Sequence, residues 1–396
     1  MKIVHLPSWY PSSNNLIEGI FNKRLIYAIN EFDKNQHVII TWQHNKIASL
    51  RNPLAFLINL YKSFLPAKVF VEENITIVQI NYFISNEYFF GSNNNRLINK
   101  IDKVIIQLDL LDSTTILHAH VVYPGGQIAQ KLSVKYNIPY LITEHMGPFP
   151  FENLKVDLLD KVITPISSAN YVIAVSKFLA NQIKNIVDVK LEVIPNVLKN
   201  IDNDLRLSTN KYNCFRFIVI SRITIDKGME VLVSAIELLA SIRTDFCVHI
   251  YGEGSSKIDL IVLLKQKNLS QFVCWFDILI PDNVQTTIAT YNCLISPSLY
   301  ESFGVTLIEA LSVGVPIISS DSGGPRDIVS DINGLLVSAN DSYALSNAMN
   351  TIINNYHLFD KNKIIDDCRN RYSNIVVSQK YSKVYKRILE DQTCVV

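Results

Sequence analysis

Short apolar runs alternate with helical segments along the whole chain, a pattern typical of α/β proteins. In the first half the pattern predicts strands at 3–6, 37–41, 75–80, 115–118, 140–143, 171–175 and 192–194. In the second half it predicts strands at 215–220, 246–251, 272–276, 293–296, 317–319 and 334–337. Helical patterns lie between these runs, for example at 19–30, 97–110 and 127–136. Each half is therefore expected to form a parallel sheet with helices on its faces.

The alternation stops after residue 196, and the polar, turn-rich stretch 199–204 is the best linker in the chain. A chain of 396 residues is also longer than the size beyond which one hydrophobic core usually divides into two domains. We therefore predict Rossmann-like domains at 1–197 and 206–372, followed by a C-terminal helix at 373–396. In sheets of this kind ligands bind beyond the carboxyl ends of the strands, so residues at those ends are the functional candidates.

Composition narrows the class of protein and its compartment. The net charge of +1 offers no electrostatic attraction for nucleic acid. The six cysteines include no C-x-x-C pair, which suits a reducing cytoplasm. The chain begins with a strand pattern rather than a signal peptide, and no apolar run approaches the ~18 residues of a membrane span. We therefore expect a cytoplasmic protein.

One apolar and basic segment, residues 48–70, qualifies this expectation. It predicts a short helix between Pro53 and Pro66 and carries Arg51, Lys62 and Lys68. A basic amphipathic helix can lie on an anionic membrane surface, or it can pack on the core of its own domain. Peripheral membrane contact and core packing both stay open.

The strongest chemical signal is the string Glu301-Ser-Phe-Gly-Val-Thr-Leu-Ile-Glu-Ala310. It follows a predicted strand, and an apolar run at 315–319 and the turn Gly323-Gly324 come after it. The loop before the predicted helix can bring backbone N–H groups to an anion. Glu309 comes late enough in that helix to accept hydrogen bonds from hydroxyl groups instead. A ligand with both phosphates and hydroxyls, such as a nucleotide sugar, suits this arrangement.

This string and its surroundings resemble the E-x7-E signature of the retaining family 4 glycosyltransferases (glycosyl transferases group 1). The resemblance implies the GT-B fold, with two Rossmann-like domains facing across a cleft and a last helix that crosses back to the first domain. It also implies transfer of a sugar from a nucleotide diphosphate to an acceptor hydroxyl, with retention at the anomeric carbon. The second domain would hold the donor and the first domain the acceptor.

Further motifs extend the resemblance. Arg222 and Lys227 follow a predicted strand, and an Arg fork with a mobile Lys can clamp a diphosphate. Gly252-Glu-Gly254 by itself indicates only a strand-to-helix turn, but it matches the loop that lies by the nucleotide in the family. The resemblance places the following residues at the donor: Gly19, Arg222, Lys227, Gly252, Gly254, Glu301, Phe303, Gly304, Val305, Thr306 and Glu309.

Each residue of the implied catalytic set has a role. Arg222 and Lys227 would stabilise the charge that develops on the β-phosphate without a metal. Glu301 would orient the donor sugar, and Glu309 would hold the ribose hydroxyls. His120, at the end of a predicted strand, would contact the sugar that is transferred. The donor base stays open between UDP and GDP, because the glycine that the family has after the strand at 272–276 is absent.

The clusters His118-Ala-His120 and Glu144-His145 could suggest a metal. A metal would need further ligands, which the spacing does not supply, and the D-x-D pattern at 202–204 lies in the linker. We therefore predict no metal and no other cofactor. His118, inside a strand, is expected to be a satisfied core residue, whereas Glu144 and His145 are expected on the acceptor side.

The predicted function is glycosyl transfer to a saccharide acceptor, free or lipid-linked, in bacterial cell-surface polysaccharide biosynthesis. One alternative is a non-catalytic nucleotide-sugar-binding subunit of a transferase complex. Another is a sugar-nucleotide epimerase with the GT-B fold. The intact set of Arg222, Lys227, Glu301 and Glu309 favours catalysis over the first alternative, and turnover with a suitable acceptor would separate all three.

Overall fold

The structure is a computed structural model that describes residues 1–12, 15–45, 61, 65–83, 95–150, 156–199 and 214–393. The chain divides into two compact units. The first comprises Met1–Val175, Ala180–Ile194 and Val377–Val396, and the second comprises Ser176–Leu179 and Pro195–Val376. Each unit is built on its own sheet.

The first unit contains an eight-stranded sheet with the order β3-β4-β2-β1-β5-β6-β7-β8. Its strands are β1 (Lys2–Pro7), β2 (Gln36–Asn45), β3 (Lys68–Glu72), β4 (Ile75–Phe83), β5 (Thr115–His120), β6 (Tyr140–Glu144), β7 (Tyr171–Ala174) and β8 (Leu191–Val193). All neighbours are parallel except β3 and β4, which form an antiparallel pair at one edge. The sequence pattern predicts each of these strands except β3, whose residues are largely exposed and show no buried face.

The helices of the first unit connect successive strands and cover the faces of the sheet. They are α1 (Ile20–Phe32), α2 (Asn95–Gln107), α3 (Gln127–Tyr136), α4 (Val156–Ser167) and α5 (Lys177–Lys184), whose first residues count with the second unit. Strands β1 and β5 are buried along nearly their whole length, because helices lie on both sides of the sheet. Their register pairs Lys2 with Thr115 and Pro7 with His120, so the two strands end side by side.

The second unit contains a parallel six-stranded sheet with the order β11-β10-β9-β12-β13-β14. Its strands are β9 (Phe215–Ile220), β10 (Phe246–Tyr251), β11 (Val273–Phe276), β12 (Cys293–Ser296), β13 (Ile317–Ser320) and β14 (Gly334–Val337). Its helices are α6 (Met229–Ala240), α7 (Lys257–Gln266), α8 (Val284–Ile288), α9 (Val305–Ser312), α10 (Ser342–Asn355) and α11 (Lys361–Tyr372). The alternating apolar residues of β9 and β10 pack against α6, α7 and α10 in one core.

The last helix, α12 (Asn374–Thr393), belongs to the first unit from Val377 onward. Tyr381 and Tyr385 of this helix are fully buried, and the Tyr385 hydroxyl lies 2.7 Å from Nδ1 of His118. An ion pair of 2.7 Å between Lys190 and Asp391 holds the end of the helix. The predicted return of the last helix to the first domain is confirmed.

Two sequence predictions fall mostly outside the described residues. The linker at 199–204 is described only at Lys199, and the segment 48–70 is described only at residue 61 and from residue 65 onward. Lys68, the last basic residue of that segment, begins strand β3. Within the described ranges, no helix has the length and apolar character needed to cross a bilayer.

Candidate functional site

The predicted motifs of the second unit meet at one edge of its sheet. Strands β9, β10, β12 and β13 are parallel and adjacent, so their carboxyl ends lie side by side. The segments after these ends carry Lys227, Gly252, Glu301 and Gly323 in turn. The Leu299 N–H donates to the carbonyl oxygen of Asp226 at 2.9 Å, which ties the segment after β12 to the segment after β9.

Lys227 and Glu301 form an ion pair at this edge. The distance between Lys227 Nζ and Glu301 Oε2 is 2.8 Å, and the side chains are 15% and 22% exposed. The exposed fractions are low enough to fix the pair and high enough to leave it open to a ligand. An arriving phosphate can take the ammonium group of Lys227, and the carboxylate of Glu301 can then turn to hydroxyl groups.

Close backbone contacts explain Gly252 and Gly254. A Cβ atom at Gly252 would lie 1.9 Å from the Ser221 carbonyl oxygen, and one at Gly254 would lie 2.2 Å from the Ile223 carbonyl oxygen. The Ile223 N–H also donates to the carbonyl oxygen of Glu253 at 2.9 Å. Glycine is therefore required here to bring the loop after β10 against the loop after β9.

Helix α9 begins close to Glu301, because a Cβ atom at Gly304 would lie 3.8 Å from Cγ of Glu301. Gly304 is its N-cap residue with φ of 103°, and Val305 and Thr306 form the first turn. The first N–H groups of a helix have no acceptor within it and lie at the positive end of its dipole, so they can meet a phosphate. The Phe303 side chain is 3% exposed and packs edge-on against Tyr372, which leaves only its backbone for a ligand.

Glu309 and Arg222 differ sharply in their surroundings. Glu309 is 4% exposed and lies in the second turn of α9, within the buried part of that helix. Arg222 has a side chain that is 75% exposed, and its guanidinium lies 3.8 Å from the Asp226 carboxylate. The structure thus brings Lys227 to Glu301 but leaves Arg222 outside that pair.

In the first unit, four buried histidines lie together on one face of the sheet. We call His37, His5, His118 and His120 the histidine row; they come from β2, β1 and β5, and none is more than 1% exposed. The His5 ring centroid lies 5.2 Å from those of His37 and His118 and 5.3 Å from that of His120. Burial, reinforced by the neighbouring histidines, lowers the pKa of His5, His118 and His120 well below the usual value. These three imidazoles are therefore neutral at about pH 7.

His118 and His120 have different partners, although they lie two residues apart on the same strand. His118 is bonded at both nitrogens, to the Tyr385 hydroxyl at 2.7 Å and to the Thr143 hydroxyl at 2.8 Å. It is therefore the satisfied core residue that the sequence predicts. His120 is bonded through Nε2 to Nδ1 of His5 at 3.0 Å, whereas its Nδ1 has no hydrogen-bond partner in the described part of the chain.

The histidine row includes three residues with metal-ligand chemistry. One nitrogen each from His5, His118 and His120 lies within 4.8 Å of the others, and three histidines can hold a zinc ion. Hydrogen bonds already occupy both nitrogens of His5 and both of His118. The arrangement therefore fits a hydrogen-bonded network better than a metal centre, and the absence of a metal requirement stays a prediction.

Glu144 is the last residue of β6, and His145 comes directly after it. Glu144 is fully buried, and its carboxylate accepts hydrogen bonds from the N–H groups of Val122, His145 and Met146 at 2.8–3.0 Å. Burial raises the pKa of this carboxyl to about 7, although the three N–H donors oppose the rise. His145 is 7% exposed, with its ring 4.6 Å from that of Phe21. Glu144 is thus directed at the backbone of its own unit rather than outward to an acceptor.

Gly19 holds the opening loop of the first unit in place. It is the N-cap residue of α1 with φ of 67°, and a Cβ atom there would lie 2.2 Å from the Trp9 carbonyl oxygen. The Asn22 side chain donates to the same oxygen at 2.9 Å. Gly19 therefore permits the close packing of the loop on the helix, which is a structural reason for a glycine here beside the predicted contact with the donor.

Sequence reasoning missed His5, His37 and Asp33 as members of a network with His120. Nδ1 of His37 lies 2.9 Å from Nε2 of His5, and Nε2 of His37 lies 2.8 Å from the Asp33 carboxylate. A signal was present, because His5 and His37 each interrupt an apolar strand that is otherwise buried. The strand register needed to connect them cannot be read from the spacing.

Comparisons with known proteins find similarity to glycosyltransferases. Residues 201–370 match the model of the family described as glycosyl transferases group 1. The uncharacterized glycosyltransferase MJ1178 of Methanocaldococcus jannaschii is 28% identical over 269 residues, covering 66% of this chain and 72% of that protein. TuaC of Bacillus subtilis (strain 168), a glycosyltransferase named for teichuronic acid biosynthesis, is 23% identical over 365 residues and 88% of each chain.

A similar solved structure extends the likeness to the fold of the whole chain. HepE of Anabaena, solved in complex with UDP and glucose, superposes with a TM-score of 0.71 at 16% identity. The superposition covers 98% of this chain and all of that one. Residues 201–370 thus resemble the glycosyl transferases group 1 family, and the chain has the GT-B fold.

Proposed function

We propose that this protein is a retaining glycosyltransferase that moves a sugar from UDP or GDP to a hydroxyl of a saccharide acceptor without a metal ion. The observation that carries the proposal is the ion pair of Lys227 and Glu301 at the carboxyl edge of the second sheet, beside the first turn of α9. A cation, free N–H groups and a carboxylate in one place suit a ligand with both phosphates and hydroxyls.

The leaving group sets the main electrostatic demand of this reaction. The bond between the anomeric carbon and the β-phosphate oxygen breaks, and the oxygen keeps the electron pair. Lys227 and the N–H groups of Val305 and Thr306 stabilise the resulting charge. Arg222, which is long and exposed, turns from Asp226 to the same phosphate when the donor binds.

The acceptor hydroxyl forms its bond to the anomeric carbon on the face that the phosphate leaves. Its proton passes to the departing phosphate oxygen, so the products are the glycoside and the nucleoside diphosphate. Glu301 orients the sugar and stabilises positive character near its ring, while Glu309 holds the ribose hydroxyls. His120 accepts a hydrogen bond from a hydroxyl of the transferred sugar, and His145 lines the acceptor side with Glu144 behind it.

The proposed pathway is the synthesis of a bacterial cell-surface polysaccharide. TuaC, which matches over 88% of this chain, is named as a glycosyltransferase of teichuronic acid biosynthesis. HepE was solved with UDP and glucose, which favours UDP as the donor nucleotide. A lipid-linked acceptor would account for peripheral membrane contact through residues 48–70.

Turnover tests this proposal. The purified protein is incubated with UDP- and GDP-sugars and saccharide acceptors, with and without EDTA, and release of the nucleoside diphosphate is followed. We expect release that depends on an acceptor, is insensitive to EDTA and gives a product with the anomeric configuration of the donor. Conversion of the sugar nucleotide without acceptor would support an epimerase instead, and tight binding without turnover would support a non-catalytic subunit.

A further inference from the structure

Asp33, His37, His5 and His120 form one continuous hydrogen-bonded chain across the first sheet. The chain begins at Oδ1 of Asp33, which lies 2.8 Å from Nε2 of His37. Nδ1 of His37 lies 2.9 Å from Nε2 of His5, and Nδ1 of His5 lies 3.0 Å from Nε2 of His120. His37 and His5 therefore each use Nε2 toward Asp33 and Nδ1 toward His120, and His120 uses Nε2 toward His5.

The chemistry of Asp33 gives this chain a direction. Burial raises the pKa of the Asp33 carboxyl, but hydrogen bonds from His37 and Asn35 together outweigh burial and hold this pKa below its usual value. An ionised carboxylate can only accept, so Nε2 of His37 must carry the hydrogen. When the His37 ring carries this one hydrogen, its Nδ1 atom carries a lone pair and accepts from Nε2–H of His5.

The same reasoning passes along the chain to its end. Nδ1 of His5 carries a lone pair and accepts from Nε2–H of His120. The last lone pair therefore resides on Nδ1 of His120, which is buried and has no partner among the described residues. A buried acceptor without a donor is unfavourable, so we expect this atom to meet a donor when a ligand binds.

Contacts from helix α12 help to hold these side chains in place. The Ser382 hydroxyl lies 3.5 Å from Oδ2 of Asp33, and the Tyr385 hydroxyl bonds to His118, whose ring stacks 4.0 Å from that of His120. The imidazoles are thus confined by packing as well as by hydrogen bonds. A ring that cannot rotate keeps the order of its two nitrogen atoms.

We propose that Asp33, His37 and His5 are positioning residues that hold His120 with its Nδ1 lone pair ready for a hydroxyl of the bound sugar. The proposal rests on the proposed function, because it requires a sugar at His120. It assigns His120 the role of hydrogen-bond acceptor only. We therefore expect the protein to bind a donor sugar with a hydroxyl beside Nδ1 of His120 more tightly than a donor sugar that lacks this hydroxyl.

Nitrogen spectroscopy of the histidines tests the direction of the chain without any assay of activity. Long-range proton–nitrogen correlation spectra are recorded for the full chain with 15N-labelled histidine side chains, and the eight histidines are assigned from single variants. We expect the hydrogen on Nε2 in His5, His37 and His120. A hydrogen on Nδ1 of His120 in the unaltered protein would overturn the proposal.

Three variants separate positioning from general packing. His37→Gln offers an amide to Asp33 and a carbonyl oxygen to His5, so it should preserve the hydrogen on Nε2 of His120. His37→Phe keeps an aromatic ring beside His5 but breaks the chain, so the hydrogen of His120 should distribute between its two nitrogens. His118→Gln is the matched control, because His118 is equally buried but bonds to Tyr385 and Thr143 instead. This variant should leave the hydrogen of His120 on Nε2.

The kinetic readout keeps this proposal distinct from the proposed function. His37→Phe should raise KM for the sugar nucleotide about three- to tenfold, the value of one hydrogen bond, while Kd for the free nucleoside diphosphate stays unchanged. An equal loss of both affinities in His37→Phe would contradict positioning of the sugar. Failure of the unaltered protein to bind any nucleotide would refute the proposed function. The spectra would still report which nitrogen of His37, His5 and His120 carries the hydrogen.

Zinc binding by these histidines is the alternative to the hydrogen-bonded network, and the same spectra test it. Zinc retained after dialysis against EDTA at one ion per chain, with loss of the Nε2 hydrogen signals of His5 and His120, would overturn the proposal. Unchanged spectra in the presence of zinc would support it. If His37→Phe does not fold, the unaltered protein and His37→Gln still decide the outcome.

Discussion

At the residue scale, the ion pair of Lys227 and Glu301 is where the candidate donor site can be tested by a single change. Both side chains are largely shielded, so the pair is fixed before a ligand arrives. Preorganised charge of this kind stabilises a transition state because it costs no reorganisation during the reaction. Arg222 is exposed and must move before it can contact a phosphate, so we expect it to contribute less transition-state stabilisation than Lys227.

Replacing Lys227 with Ala should lower kcat/KM by about 30- to 1000-fold, corresponding to about 2–4 kcal/mol of transition-state stabilisation. The matched control is Lys267→Ala, which removes an ion pair with Glu237 of 2.7 Å in the same unit but away from these loops. Steady-state kinetics with the preferred sugar nucleotide measures both variants. A loss of less than about fivefold in Lys227→Ala would refute the assignment of Lys227 to the phosphate.

Glu144 gives a prediction of pH dependence at the same scale. Because burial raises the pKa of its carboxyl to about 7, the folded state binds this proton more tightly than the unfolded state. The stability that Glu144 contributes is therefore present below its unfolded pKa and is lost as pH rises to about 7. From about pH 5 to pH 7.5 the loss should be on the order of 2–3 kcal/mol.

Urea unfolding of the unaltered protein and of Glu144→Gln at the two pH values isolates this contribution. Gln keeps a carbonyl oxygen for the N–H groups of His145 and Met146 but cannot titrate. The unaltered protein should lose stability relative to the variant as pH rises. A difference that is constant with pH would show that Glu144 has an ordinary pKa.

At the element scale, helix α12 covers the histidine row and completes the first unit. Tyr381 and Tyr385 are among the largest fully buried side chains of the described chain, and Tyr385 bonds directly to His118. The helix also bonds to Asp33 through Ser382. A segment at the end of the sequence thus supports residues that lie near its beginning.

Replacing Tyr385 with Ala should lower the thermal midpoint of unfolding by roughly 10 °C, because it leaves a cavity and removes the hydroxyl partner of His118. Tyr343→Ala is the matched control, since Tyr343 is 69% exposed on helix α10 and its loss should change the midpoint by no more than about 2 °C. Scanning calorimetry measures both. Equal midpoints for the two variants would contradict the packing described for α12.

The histidine row predicts a second effect of pH, opposite in sign to that of Glu144. Because the pKa values of His5, His118 and His120 are lowered, only the unfolded state takes up these protons as pH falls below about 6.5. Stability should therefore fall with pH by up to about 4 kcal/mol per unit, the limit for three protons. Urea midpoints between about pH 6.5 and pH 5 in Glu144→Gln measure this slope, and a flat profile would contradict neutral histidines.

At the scale of the whole molecule, the sequence pattern predicts the two sheets well and the side-chain networks poorly. Strands covered on both faces are largely apolar, so β1, β5 and β9 are visible in the sequence although His5, His118, His120 and Arg216 interrupt them. Strand β3 lies at an edge and is exposed, so the same criterion misses it. The loops that carry Lys227 and Glu301 are found because short motifs follow directly after strands.

The network of Asp33, His37, His5 and His120 could not be predicted because it depends on the order of strands. Residues 33 and 120 become connected only when β1 lies between β2 and β5, and spacing along the chain contains no such information. Glu144 shows the same limit: a carboxylate after a strand can turn to a ligand or to the backbone. Here the carboxylate of Glu144 accepts hydrogen bonds from the backbone N–H groups of Val122, His145 and Met146.

Membrane contact is a property of the whole molecule that binding to vesicles tests. Replacing Arg51, Lys62 and Lys68 with Glu should reduce binding to anionic vesicles at least tenfold, because each basic side chain near the surface contributes about 1 kcal/mol. Co-sedimentation with phosphatidylglycerol vesicles measures this, with phosphatidylcholine vesicles as control. Unchanged binding would refute the proposed contact.

The most direct test of the donor site is calorimetric titration of the unaltered protein, Lys227→Ala and Glu309→Ala with UDP, GDP and ADP, each with and without EDTA. We predict that one nucleoside diphosphate binds the unaltered protein in the presence of EDTA, and that either substitution weakens it at least tenfold. Binding that requires a divalent ion, or that is unaffected by both substitutions, would contradict the proposed donor site.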